Sequence, residues 1–350
     1  MVDYSEPLGL KDMSSEDIPL AGIKIERIVT DGDLDGVMTA AILRRLWPDT
    51  EIVFSSPGAI RSGLMDHLID SKTAICDLPA HPAAGLIIDH HETNRISKDD
   101  EYEGFGGQIR IWEATKSAAR IAFVEVGKIR DVNDLTEVLE WVDMLDGGDI
   151  SKEDFLAGEA MVRLGRLIDA DSNPNIATAI LEAFQSGKSV DEILSIPMVT
   201  EADLARQIER KEIHRIIDEN TEIIDRLAIV RFDGTGVRTN GYEVTARIGD
   251  ACDACLLLHG SINGSLEIGS AAPLGASFYN NSFLYPKGGK ADLTKLAMAI
   301  DSDGGGHRNA CGCRVKAMSD KGELEKREVS VDDIQRNLEL WLSIWAEMRC

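Results

Sequence analysis

Short apolar runs alternate with helical patterns at the start of the chain, and acidic or histidine residues follow those runs. Ile25–Thr30, Glu51–Phe54, Thr73–Cys76 and Leu86–Ile88 read as strands. Val37–Leu46 and Ala59–Ile69 read as helices between them. Strands that alternate with helices predict a parallel sheet of α/β type. Such a sheet collects ligands at the carboxyl ends of its strands. From about Lys116 to Ser195 the pattern turns mostly helical, and Glu201–Arg226 reads as one long amphipathic connector. Beyond it, Leu227–Phe232, Ala254–His259, Ser265–Ser270 and Cys311–Lys316 read as short strands punctuated by glycine. Val331–Met348 forms a final helix with Ile334, Leu338, Trp341, Leu342 and Trp345 on one broad face. That helix is expected to pack within the chain; a homodimer contact is the alternative.

The fold class expected is therefore α/β, with a parallel-sheet domain and helical extension over residues 1–200. A connector helix (201–226), a smaller α/β domain (227–320) and a C-terminal helix (321–350) complete it. A length of 350 residues suits two domains, and an apolar fraction of 43% suffices for real cores.

Charge narrows the function. Lys and Arg total 37 against 61 Asp and Glu, a net charge of −24. Proteins that coat long nucleic acid need the opposite balance, because each phosphate must be neutralised. A small anion held by metal or by one local pocket stays compatible with that balance. The N-terminal segment is acidic and has no apolar signal core, and no run approaches a membrane span. A cytoplasmic location without membrane contact is expected. Six cysteines in a chain of this length read as reduced thiols. Cys252, Cys255, Cys311 and Cys313 could be grouped as zinc ligands, but Cys255 begins an apolar strand, and the thiol reading is preferred.

Five clusters carry chemistry. Asp31, Asp33 and Asp35 alternate between a strand and a helix. Carboxylates so close repel unless a cation sits among them, and hard divalent ions prefer oxygen ligands. The competing reading is a solvated acidic turn with Asp35 capping the helix. Asp89-His90-His91 follows the fourth strand and falls on the same sheet edge. Asp77 directly follows the third strand, and Asp143, Asp146 and Asp149 end a helical segment. In the second half, Gly304-Gly305-Gly306-His307-Arg308 combines exposed backbone N–H groups with two side-chain donors, a pattern suited to phosphate.

Taken in order, these motifs resemble those of the DHH-family phosphoesterases. Asp31-Gly32-Asp33-Leu34-Asp35-Gly36 matches the first motif, Asp77 the second, Asp89-His90-His91 the third, and an aspartate within Trp141–Asp149 the fourth. Gly304–His307 with Ala310-Cys311-Gly312 resembles the glycine-histidine motif of the family's associated C-terminal domain. The resemblance covers both halves, and it is the pattern of RecJ-type exonucleases, nanoRNases and cyclic-dinucleotide phosphodiesterases.

It implies two divalent ions, manganese first and magnesium as the alternative. Asp31, Asp33 and Asp77 would hold one; Asp35, Asp77, His90 and Asp143 the other. Asp143 and Asp146 lie within one turn of each other; Asp143 is taken as the ligand and Asp146 as its support. His91 would face the substrate phosphate, with Asp89 orienting the histidines. His307, Gly304, Gly305, Gly306 and Arg308 would hold substrate from across the cleft. The activity implied is metal-dependent hydrolysis of short oligonucleotides or dinucleotides to mononucleotides. A RecJ-like single-strand exonuclease, a phosphoadenosine-phosphate phosphatase and a catalytically silent nucleotide-binding protein are the alternatives.

Overall fold

The computed structural model describes residues 18–95, 108–170, 174–265 and 270–349. The first part comprises β1 (Arg27–Asp31), α1 (Leu34–Leu43), β2 (Glu51–Ser55), α2 (Pro57–Arg61), β3 (Thr73–Cys76), β4 (Leu86–Asp89) and β5 (Ile109–Trp112). Helices α3 (Ala118–Gly127), α4 (Thr136–Asp146), α5 (Lys152–Ala157), α6 (Ala160–Ala170), α7 (Pro174–Gln185), α8 (Val190–Leu194) and α9 (Pro197–Asn220) follow. The second part holds β6 (Thr221–Ile224), β7 (Leu227–Arg231), α10 (Gly241–Ile248), β8 (Ala254–His259) and β9 (Gly275–Asn280). It closes with α11 (Thr294–Met298), β10 (Gly305–His307), β11 (Ala310–Arg314) and α12 (Val331–Arg349).

The first sheet is parallel throughout, in the order β2-β1-β3-β4-β5. Its strands are apolar on both faces because both faces are covered. Ile28, Ala74, Cys76, Leu86 and Ile88 join the large helical core, while Val29, Ile75 and Ile87 fill a smaller one behind. All strands run the same way, so Asp31, Asp77 and Asp89 emerge at one edge. The expected α/β class holds, and a fifth strand joins the four expected.

The second sheet is mixed, ordered β10-β11-β9-β8-β7-β6, with only β7 and β8 parallel. Trp341 and Trp345 of α12 are buried against one face, and Trp341 donates its indole N–H to the Leu296 carbonyl at 3.1 Å. The final helix therefore packs within the chain. The other face packs on α9 and α10.

Several boundaries differ from expectation. Helix α9 stops at Asn220 instead of Arg226, because Thr221–Ile224 turns back through Asp225 and Arg226 to pair antiparallel with β7. The Ala59–Ile69 helix is a short α2 followed by a separate turn at Asp66–Leu68. The strand expected at Ser265–Ser270 falls largely on 266–269, outside the described residues, and β9 supplies the central strand instead. Cys255 pairs across from Tyr279 and Cys311 from the adjacent Phe278, so these two thiols point to opposite faces of the sheet. The four cysteines cannot share one zinc ion.

Gly36 sets how closely α1 approaches β1. A Cβ there would fall 2.3 Å from the Asp31 carbonyl oxygen and 2.8 Å from Thr30 Oγ1. Gly36→Ala should therefore force the helix start away from the strand end and destabilise the protein by about 1–3 kcal/mol. Urea unfolding would show this as a lower midpoint; an unchanged midpoint would refute the close approach.

Candidate metal centre

The acidic edge is built one contact at a time. Asp33 caps α1 by accepting the Gly36 N–H at 2.8 Å. Asp35, in the first turn, is fully enclosed and accepts the N–H groups of Ala118 and Ala119 at 2.7 and 2.8 Å. Those two amides begin α3, so a helix N-terminus points at the carboxylate. Asp77 follows β3 with φ 57°, a left-handed conformation unusual for a residue with a side chain. Its own N–H is held by the Ile88 carbonyl at 2.9 Å.

Asp89 accepts three bonds on one oxygen, from the His90 N–H (2.8 Å), the His91 N–H (3.1 Å) and His91 Nδ1 (2.9 Å). It thus holds the His91 ring and the backbone N–H groups of both histidines. His90 Nδ1 faces the Thr115 carbonyl at 3.3 Å, which places the hydrogen on that nitrogen and leaves Nε2 as a bare acceptor. Nε2 then lies 3.4 Å from Asp35 Oδ2, 3.4 Å from Asp77 Oδ1 and 3.3 Å from Asp146 Oδ2.

The fourth motif resolves against the expectation. Asp143 turns away from this point: Oδ1 accepts from Ser117 Oγ at 2.6 Å, and Oδ2 pairs with Arg120 Nε at 2.8 Å. Asp146, three residues on, is the aspartate that faces His90. The physical reason is satisfaction. Both oxygens of Asp143 are engaged, while Asp146 Oδ2 is buried with no hydrogen-bond donor.

Asp77 Oδ1, His90 Nε2 and His307 Nε2 are likewise buried without a hydrogen-bond partner. Lone pairs that face one another at such distances need a cation among them. Asp35, Asp77 and His90 offer three ligand atoms within 4.8 Å, as do Asp77, Asp89 and His91, and His90, His91 and His307. Oxygen donors with one or more imidazoles suit a divalent ion such as manganese. The residues fit the metal implied by the motifs. Asp31 and Asp33 line the same cleft beside Asp77 but complete no such compact set among the described residues.

Electrostatics record the crowding. Burial, then Asp35 and Asp33, push the carboxyls of Asp77 and Asp146 well above their ordinary range. Burial raises Asp35 to about 6. Burial, then His91, lowers His90 to about 4. His91 is raised: burial opposes its charge, and the hydrogen bond to Asp89 together with the charges of Asp89, Asp31 and Asp35 outweighs it.

The second sheet reaches this edge through β10. His307 stacks on His91 with ring centroids 4.5 Å apart and approaches His90 at 4.6 Å. The three glycines before it do not form the open anion loop expected from the sequence. Gly305–His307 is a strand paired with β11. The Gly306 N–H is taken by Thr93 Oγ1 at 3.2 Å, and a Cβ on Gly304 would meet the Ala297 carbonyl at 2.6 Å. Their smallness serves close packing. Arg308 is exposed at the hairpin turn and does not line the cleft. Arg61, Arg166, Arg238 and Arg314 do, within a cavity of about 730 Å³ that runs from the aspartates to the second sheet. Arg61, Arg166 and Arg238 escaped the sequence reading because they sit in no motif. For Arg314 the available signal was strand alternation, which puts it on the same face as Gly312.

No family model and no curated protein matches the chain. Among solved structures, it is similar to the pGpG-specific phosphodiesterase PggH from Vibrio cholerae, with 19% identity and a TM-score of 0.57. That match covers 91% of this chain and 98% of the other. It is also similar to RecJ in complex with Mn²⁺ from Thermus thermophilus, with 14% identity and a TM-score of 0.50, over 94% of this chain and 53% of that one. The chain has the fold of the DHH-family phosphoesterases, as its motifs implied.

The two aspartates of the fourth motif should separate from each other in stability, Asp146 moving with the crowded Asp77 and Asp143 against it. In metal-free protein at pH 7, Asp143→Asn removes the Arg120 pairing and should cost about 2 kcal/mol. Asp77→Asn keeps a side chain that tolerates positive φ while removing a crowded charge, and should stabilise by about 1–2 kcal/mol. Asp146→Asn, which also removes a crowded charge, should move the same way as Asp77→Asn. Urea unfolding in EDTA distinguishes them; equal losses would refute the crowding.

Proposed function

We propose that the cleft is the active site of a divalent-metal-dependent phosphodiesterase that hydrolyses short oligonucleotides or dinucleotides to mononucleotides. The observation that carries this reading is the convergence of Asp77 Oδ1, Asp146 Oδ2 and His90 Nε2, buried and without hydrogen-bond partners, at one end of a cleft long enough for a small nucleotide. Asp35, Asp77, His90 and Asp146 would hold one ion, and Asp31, Asp33 and Asp77 a second. Paired ions in such a site lower the pKa of bound water and neutralise charge on the phosphoryl oxygens.

The chain's own residues do the rest. Asp89 fixes His91 through Nδ1, so the other ring nitrogen is free to donate to a phosphate oxygen. His307 brings a second imidazole from the opposite wall. His90 is held neutral by burial, which keeps its lone pair available as a ligand. The RecJ likeness admits a single-strand exonuclease. Two observations favour short substrates. The net charge of −24 repels a long polyanion. The walls also touch across the cleft, where Arg61 donates to the Asp303 carbonyl and Thr93 accepts from Gly306.

Turnover of a dinucleotide panel with manganese tests the reading. Asp77→Ala should lower activity by several orders of magnitude. Asp146→Asn should cost at least about 100-fold, and Asp143→Asn, one step removed from the ion, roughly 10–100-fold. A larger loss at Asp143 than at Asp146 would reverse the assignment. Manganese should outperform magnesium, because the smaller ion accepts imidazole reluctantly. On single-stranded RNA, kcat/KM should fall steadily from two residues to twenty; a flat or rising trend would favour the exonuclease.

A further inference from the structure

The cleft continues past His307 onto one face of the second sheet, and strand register shows what that face carries. His307 pairs with Ala310, and Ala310 with Tyr279; one step along, Gly312 pairs with Ser277. Alternation puts Ala310, Gly312 and Ser277 on the same face, the one turned away from the α12 core. All three line the cavity. Their backbone N–H and C=O groups are engaged in sheet pairing, so the floor is flat, small and uncharged. A phosphate finds little there, whereas a planar ring can lie on it. Ala310 lies directly across from His307, and Gly312 and Ser277 lie about 10 Å from it, two residues along and one to two strands across, which is the reach from a phosphate to the base of its nucleotide.

The far edge of this floor is polar. His259 ends β8 opposite Gly275, and the absent side chain lets its ring press against β9: a Cβ on Gly275 would fall 3.2 Å from the imidazole Cε1. Its Nε2 meets Ser277 Oγ at 2.8 Å, while Nδ1 is buried with no partner. Arg238 lines the same cavity. Burial, then the Arg238 charge, lowers His259 to about 4, so the imidazole is neutral. Arg314 is bound to Asp301 and Asp303, and Arg166 to Glu243. Arg238 has no carboxylate partner among the described residues; its segment is anchored instead by its carbonyl, which accepts from Arg206 at 3.1 Å.

We propose that this face is a base-reading subsite for guanine, in which the ring of one substrate nucleotide lies on Ala310, Gly312 and Ser277 while Arg238 and His259 engage its O6 and N7 edge. The inference rests on the phosphodiesterase reading of the cleft. Guanine presents two adjacent acceptors on that edge and matches the guanidinium fork; adenine presents a donor in place of one and meets the cation with an amino group. When Ser277 donates to Nε2, His259 carries its hydrogen on Nδ1 and adds a second donor to the same edge.

Isothermal titration with GMP and AMP tests the subsite apart from catalysis, because the two ligands share the phosphate and their ratio reports the base. GMP should bind the wild-type protein at least about tenfold tighter than AMP, the discrimination expected of one good bidentate pair. Arg238→Gln should bring the two within about threefold, chiefly by weakening GMP. His259→Phe keeps a ring against Gly275 without the nitrogen, and should reduce the ratio as well. The same collapse should appear in the kcat/KM ratio of pGpG to pApA. Equal binding of GMP and AMP to the wild type would overturn the proposal. An equal loss for both ligands in Arg238→Gln would make Arg238 a phosphate contact and overturn it too. Discrimination between GMP and AMP without metal-dependent turnover would sink the phosphodiesterase reading and leave the subsite standing.

Discussion

The two amide groups of Ala118 and Ala119 that grip Asp35 are the contact on which the acidic edge depends. Four consecutive residues, Ser117 to Arg120, serve two aspartates from different helices. The amides take Asp35 of α1, while Ser117 Oγ and the Arg120 guanidinium take Asp143 of α4. The start of α3 therefore fixes α1 and α4 relative to each other. Asp146 lies three residues beyond Asp143 and shares its helix face. The anchored aspartate thus aims the unanchored one. Neutralising one carboxylate with Arg120 and another with a helix start lets the remaining charges stay unsatisfied, and a site for a cation needs that. The consequence is a cluster whose carboxyls are driven up by burial and mutual repulsion.

The opposing wall is held by a different device. Glu243 on α10 forms an ion pair with Arg166 of α6 at 2.9 Å and accepts hydrogen bonds from Arg210 of α9 at 2.7 Å and His214 of α9 at 3.0 Å. Burial works against the Glu243 charge, and Arg166, Arg210 and His214 together outweigh it, so the carboxylate is held below its usual range. One buried anion thereby ties the helical extension of the first part to the second sheet through α9. At the other end of the cleft, Thr93 and Arg61 meet the β10 hairpin. Two junctions, one at each end, fix the angle at which His307 meets His91. The glycines of the hairpin belong to this geometry: larger residues at Gly304 or Gly306 would strike Ala297 or Ala310 and Cys311 before His307 could approach.

The parallel sheet and the residues at its carboxyl edge were legible because strand period and strand-end chemistry are local. Asp31, Asp33, Asp35, Asp77, Asp89, His90 and His91 are all where alternation puts them. The choice between Asp143 and Asp146 was not legible, because it turns on which aspartate meets Arg120, a partner on another helix. The roles of the glycines were misread for a related reason. A glycine run looks the same in sequence whether it exposes its N–H groups or pairs them in a ladder, and only the partner Thr93 decides. Helix α9 was overextended because the apolar period of Ile216, Ile217 and Ile224 continues through a turn that the positive φ angles of Asp225 and Arg226 produce. His259 entered the sequence reading only as the end of the Ala254–His259 strand, since its significance comes from Gly275 and Ser277 on a neighbouring strand.

The cations around the cleft explain why a chain of such negative charge can take a phosphate only with help. Arg314 is paired with Asp301 and Asp303, Arg166 with Glu243, and Arg61 is engaged by the Asp303 carbonyl and by Asn94 at 2.9 Å. These three are committed to structure, with Arg238 at the far edge the exception, and the Asp301 pairing is tight: burial would raise that carboxyl, yet Arg314 and Lys316 hold it at about 2. The walls therefore supply shape and little net positive charge. In the proposed phosphodiesterase, attraction for the phosphate comes from the ions held by the aspartates, the same groups that activate the attacking water. Binding and chemistry then share one source, so a protein stripped of metal loses its grip on the scissile phosphate together with its activity, while contacts to the base survive on the second sheet.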